Sequence, residues 1–138
     1  MNKRLYIDTS AYLCILLGET GHEDLRRELS GAEVASSVLL VLEASRNLVR
    51  LSRENYLSPA EFQECMSALE SDMQQFLLRD FTLDLCGISA MPAVSTPRSL
   101  GLAHLSTAVW FHQQEPLTRF VSLDEAQRLS ARELGLPV

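Results

Sequence analysis

No apolar run in this chain is long enough to cross a membrane. The longest, from Ala11 to Leu17, covers about seven residues, against the roughly 18 that a spanning helix needs. The opening Met1-Asn2-Lys3-Arg4 is basic, but the apolar stretch behind it breaks at Asp8, which does not fit a secretory leader. Cysteine is scarce: Cys14, Cys65 and Cys86 are odd in number, widely spaced and set in apolar patterns. That excludes a disulfide scaffold and fits buried thiols in a reducing compartment, so a cytoplasmic location is expected. Positive charge is not in excess either. A net charge of −6 excludes binding of nucleic acid by a broad basic face, though not an enzyme that grips phosphates through a metal and a few local cations. Repeats, linkers and low-complexity segments are missing as well. What remains is 138 residues, 46% hydrophobic and 22% charged, an ordinary globular balance and enough chain for one domain over 1–138 with a real core.

Strand-like and helix-like patterns alternate. Residues 4–7 read as a strand, 10–17 as a helix ended by Gly18, and 21–30 as a second helix stopped by Gly31. Residues 33–36 read as a short strand, after which Ser36 or Ser37 caps a helix over about 38–53. Ser58-Pro59-Ala60-Glu61 combines a capping serine, a proline at the first turn and a glutamate three residues on. It starts a helix to about 78, with Phe62, Met66, Leu69, Met73 and Phe76 on one face. A strand over 81–85, a short helix and turn over 88–98, a helix over 99–113, a strand over 118–122 and a helix over 124–134 complete the reading. Leu136-Pro137-Val138 is a candidate edge strand. Alternation of this kind implies an α/β fold in three layers, α/β/α, around a parallel sheet of four or five strands.

Asp8 ends the apolar run Leu5-Tyr6-Ile7 and precedes a helix; Asp124 does the same after Phe120-Val121-Ser122-Leu123. In open α/β sheets, ligands bind outside the carboxyl ends of the strands, and both aspartates belong there. Glu43 lies inside the apolar segment Val38–Ala44, in the half of its helix that faces the same end. Each acid has a plainer explanation. Asp8 and Asp124 stand where helix N-caps belong, and Glu43 has Arg46 and Arg50 within one or two turns. Brought together, however, carboxylates repel by on the order of 4 kcal/mol per pair at about 4 Å near a surface, a cost that a hard cation removes. Oxygen ligands without His or Cys select Mg²⁺ or Mn²⁺. Such an ion activates water and clamps phosphate oxygens, so Asp8, Glu43 and Asp124 are candidate metal ligands and catalytic residues for phosphodiester hydrolysis.

Four segments resemble one family. Tyr6-Ile7-Asp8-Thr9-Ser10-Ala11 is similar to the opening of PIN-domain proteins, and Leu42-Glu43-Ala44 to their second acidic position. Leu100 to Ala108 resembles their third signature. Val121-Ser122-Leu123-Asp124 followed by Ala131 to Leu136 resembles their fourth. The ordered set spans the chain at the family's usual spacing, and the chain's length and expected compartment are similar to those of the VapC ribonuclease toxins of VapBC toxin–antitoxin pairs. That resemblance implies an Mg²⁺- or Mn²⁺-dependent endoribonuclease, dimeric and silenced by a small antitoxin protein, with RNA as substrate. The chain departs from the pattern at Gly101, where the family carries an aspartate three residues before the histidine, here His104. No shift of register supplies the acid, since Leu85 to Gln114 contains neither Asp nor Glu. Two expectations follow: a nuclease with a weakened metal site, or a catalytically impaired domain kept for binding RNA or protein.

Further residues carry smaller expectations. Thr9, Ser10 and Ser122 flank the acids and either orient carboxylates or cap helices. Arg46, Arg50 and Arg53 share a helix face with Glu43, forming either a weak RNA-backbone stripe or a solvated, ion-paired face. Arg98 stands near Gly101 as a candidate phosphate ligand. His104 is expected to pack or hydrogen-bond, and Trp110 and Phe111 to fill the core or a dimer interface. The apolar face of the 58–78 helix is a candidate antitoxin surface. A receiver domain would need a second acid beside Asp8, an acceptor aspartate after the third strand and a late lysine. A haloacid-dehalogenase-like phosphatase would need an aspartate where Ser10 stands. Both are excluded on residues.

Overall fold

The computed structural model describes residues 2–87 and 93–138. The elements run β1 (Arg4–Ile7), α1 (Thr9–Leu17), α2 (His22–Leu29), β2 (Glu33–Ser37), α3 (Leu39–Arg53), α4 (Pro59–Gln75), β3 (Leu77–Arg79), α5 (Leu83–Cys86), α6 (Ser99–Gln114), β4 (Arg119–Val121) and α7 (Glu125–Glu133). The four strands form one all-parallel sheet in the order β3-β2-β1-β4. The fold is α/β in three layers. Side chains of a strand alternate between faces, and β1 shows it: Leu5 and Ile7 enter a core built with α1, α3 and α4, while Tyr6 enters the opposite core with α6 and Phe120. Burial on both faces explains why Leu5-Tyr6-Ile7 of β1 and Phe120-Val121 of β4 read as unbroken apolar runs. No helix among the described residues is long and apolar enough to cross a membrane.

The strand order decides where a ligand sits. The chain winds from β1 through β2 to β3 on one side, then returns to place β4 on the other side of β1. The topological switch point therefore lies between the carboxyl ends of β1 and β4. Ile7 pairs with Val121 there, and the Asp8 N–H continues the ladder to the Val121 carbonyl at 3.1 Å.

Most elements lie where the sequence places them. Ser58 and Glu61 form the full capping box with Pro59 behind it. The apolar face of α4 is spent inside the fold: Leu69 is buried and Phe62, Met66, Met73 and Phe76 pack on the same core, so it is not the free antitoxin surface expected of it. Two strands are corrected. Phe81-Thr82-Leu83-Asp84-Leu85 alternates like a strand, yet 83–86 is the helix α5 and the edge strand is Leu77–Arg79. Leu83 is 72% exposed, so the alternation has no sheet face to serve, and Arg79 instead binds Asp84 and Thr82. Residues 136–138 form no strand. Pro137 has no N–H to donate and gives β4 only its carbonyl, which accepts from the Phe120 N–H at 2.6 Å. The short helix and turn expected over 88–98 lie partly outside the described residues. Over 93–98 there is no helix, and the Thr96 hydroxyl donates to the Ala126 carbonyl at 3.0 Å. All three cysteines are free thiols, but only Cys14 is fully buried.

Glu28, in the last turn of α2, accepts from both Arg119 Nε and Nη2 at 2.6 and 2.5 Å, tying α2 to β4. The guanidinium holds the Glu28 carboxyl below its ordinary range. A carboxyl depressed in the folded state stabilises the fold above its unfolded pKa, and the contribution disappears as pH falls through the folded value. Glu28→Gln is expected to lower stability by about 1 kcal/mol at pH 7, after discounting for partial exposure, and by little at pH 3. Urea denaturation at the two pH values measures the difference; equal losses at both would contradict the ion pair's role.

Candidate metal and nucleic-acid site

Asp8, Glu43 and Asp124 line one cleft of about 740 Å³, together with Thr9, Ser10, Asn47, Arg98, Gly101, His104 and Gln127. The sheet supplies the first wall, α3 the second, and the starts of α6 and α7 the third. The larger part of that reach is topological: β1 and β4 end side by side, and α3 brings Glu43 over them.

Both aspartates also cap helices, as their positions predict. Asp8 Oδ1 accepts from the Ala11 N–H at 3.1 Å and from the Ser10 hydroxyl at 2.7 Å. Asp124 Oδ1 accepts from the Gln127 N–H at 3.2 Å. Capping and ligation are compatible, since an Asp has a second oxygen, and Asp124 Oδ2 makes no hydrogen bond among the described residues. Two hydroxyls join the aspartates. Ser10 Oγ lies 3.3 Å from Ser122 Oγ and accepts from the Leu123 N–H at 3.0 Å, while Ser122 Oγ accepts from the Asp124 N–H at 3.1 Å. Ser10 and Ser122 therefore set the relative placement of Asp8 and Asp124. Asp8 is only 5% exposed. Burial pushes its carboxyl up, opposed by the Ser122 and Ser10 hydroxyls, the Ala11 N–H and the nearby His104. It is a buried acid without an ion-paired cation among the described residues.

Glu43 does not pair with Arg46 or Arg50. Its Oε1 accepts from the Thr9 hydroxyl at 2.8 Å and stands 2.8 Å from His104 Nε2. His104 Nδ1 is 2.7 Å from the Tyr6 hydroxyl. With Nε2–H donating to the carboxylate, Nδ1 accepts from Tyr6, and each group is satisfied once. His104 is thus a bridge from the core to Glu43, the hydrogen-bonding role its position suggests. Arg50 is occupied by Glu54 at 3.0 Å and Asn47 at 3.3 Å. Neither Arg46 nor Arg50 lines the cleft, whereas Arg98 does. Phe111 is buried, and Trp110 is half-buried with Arg79 stacked 4.6 Å above its ring.

Asn47 and Gln127 were not anticipated. Asn47 had a local signal, four residues after Glu43 on one helix face, where its Nδ2 donates to the Glu43 carbonyl at 2.9 Å. Gln127 had none, because its contact crosses from α7 to α6: Nε2 donates to the Gly101 carbonyl at 2.9 Å. A Cβ placed on Gly101 would meet Gln127 Oε1 at 2.8 Å. The carboxamide fills the room a side chain at 101 would take.

Among the described residues, no three His, Cys, Asp or Glu side chains gather closely enough to hold one ion. The three acids share a cleft without forming a three-carboxylate cage. The all-oxygen donor set at the switch point, Asp8 and Asp124 first, fits a hydrated hard cation that keeps several waters. No protein-family model matches this chain, and no curated protein matches its sequence.

Proposed function

We propose that this chain is a divalent-metal-dependent endoribonuclease of the PIN/VapC toxin type, with a metal site weakened at Gly101. The observation that carries the reading is the meeting of Asp8 and Asp124 at the switch point of a parallel sheet, joined through Ser10 and Ser122, with Glu43 on the same cleft. Asp8 and Asp124 would hold Mg²⁺ or Mn²⁺, and Glu43, fixed by Thr9 and His104, would orient the attacking water. Bound there, the ion supplies water activation and neutralisation of charge on the scissile phosphate. Arg98, the arginine on the cleft lining, would bind a flanking phosphate. The resemblance also implies a homodimer and a small antitoxin partner in the cytoplasm.

A second reading, an impaired domain of the same build kept for RNA or protein binding, is favoured by the carboxamide that fills the place beside Gly101. Incubation of a mixed pool of tRNA and ribosomal RNA fragments with Mn²⁺ separates the two. The nuclease reading predicts cleavage by the wild type that Asp124→Asn and chelation both abolish. A silent wild type, with activity appearing only when Gly101→Asp is combined with Gln127→Ala to make room, would establish the second reading.

A further inference from the structure

We infer that the Gln127 carboxamide oxygen is a neutral third donor of the metal site, beside Asp8 and Asp124. The inference rests on the metal-site reading above and adds a ligand to it. Nε2 of Gln127 donates to the Gly101 carbonyl at 2.9 Å. A carbonyl only accepts, so this bond fixes which end of the amide is nitrogen and which is oxygen. Oε1 then occupies the side-chain space of Gly101 on the cleft lining. It makes no hydrogen bond among the described residues and stands on the cleft lining, free to accept from water or to ligate a cation. The backbone N–H of the same residue holds Asp124 Oδ1 at 3.2 Å, so one residue positions a carboxylate and presents its own oxygen to the same cleft. Amide oxygens are ordinary ligands for hard cations.

Gly101 makes the inference testable from two directions. Gln127→Ala removes the oxygen. Gly101→Ala leaves Gln127 intact but places a Cβ 2.8 Å from Oε1, which displaces the carboxamide while improving helix propensity. Mn²⁺ affinity is read by electron paramagnetic resonance of free ion, with circular dichroism confirming the fold. Each variant is expected to weaken Mn²⁺ about 10-fold, within the range for groups that support a metal site, and the double variant is expected to be no weaker than Gln127→Ala. Gln127→Glu, which restores a charge, is expected to bind more tightly than the wild type. Asp8→Asn and Asp124→Asn are run alongside. If these abolish Mn²⁺ binding while Gln127→Ala and Gly101→Ala leave it unchanged, the carboxamide is no ligand and the inference is overturned alone. If neither aspartate variant alters Mn²⁺ binding, the metal-site reading itself fails.

Discussion

Asp8→Asn is expected to abolish Mn²⁺-dependent RNA cleavage, by more than about 100-fold, while leaving the fold intact or slightly more stable. The loss should exceed the 10–100-fold typical of a group one step behind a ligand, because in the proposed function Asp8 holds the ion directly. Stability behaves differently because Asp8 has two tasks that asparagine separates. Its Oδ1 caps α1 through the Ala11 N–H, and asparagine caps as well as aspartate does. Its charge, by contrast, is a burden on the folded state: burial raises the carboxyl's pKa. An acid raised in the folded state binds its proton more readily there, so the fold loses stability as pH rises from the unfolded pKa through the folded one, and the loss persists at neutral pH. Asparagine removes that cost. Thermal unfolding at pH 7 without metal should therefore give a midpoint equal to or above the wild type. Added Mn²⁺ should raise the wild-type midpoint and leave the variant unmoved, since only a bound ligand stabilises by mass action. A variant that loses activity and also unfolds several degrees lower would show that Asp8 is chiefly structural.

His104→Ala should cost about 3 kcal/mol of stability. The imidazole is 3% exposed and contacts the Tyr6 hydroxyl at 2.7 Å, Glu43 at 2.8 Å and Thr9 at 3.1 Å. Tyr6 has no exposed surface, and burial holds its phenol well above the ordinary range, so its O–H remains a donor that needs an acceptor. In the structure that acceptor is His104 Nδ1, while the nearby Ser36 and Thr107 hydroxyls donate to the Ile7 and Ala103 carbonyls at 2.7 Å each. A buried donor left without a partner costs about 1–3 kcal/mol, and the vacated volume adds a cavity cost. Tyr6→Phe in the His104→Ala background removes the orphaned hydroxyl and should recover part of the loss. Urea denaturation of the wild type, both single variants and the double variant closes the cycle. A coupling below about 0.5 kcal/mol would show that the Tyr6–His104 bond contributes nothing beyond packing. Glu43 also loses one of its two side-chain partners, so cleavage by any folded His104→Ala protein should fall as well.

The amino-acid sequence by itself determined the alternation of strands and helices, the N-caps at Asp8, Ser58 and Asp124, and the face of α4. These are local properties: an apolar period of two or 3.6, and a short polar side chain reaching an N–H three residues on. It also marked Asp8 and Asp124 as ends of strands, where a parallel sheet exposes its ligands. Local pattern misled at 81–85, because alternation is the signal of a strand only where a sheet has a face to receive it. Tertiary structure alone decided the order β3-β2-β1-β4, which sets the switch point between β1 and β4. It decided that Glu43 bonds Thr9 and His104 in preference to the arginines on its own helix. It also decided that Gln127 fills the space beside Gly101. Those partners come from different elements, and no periodicity within one element encodes which residue of another will stand opposite it once both are packed on the sheet.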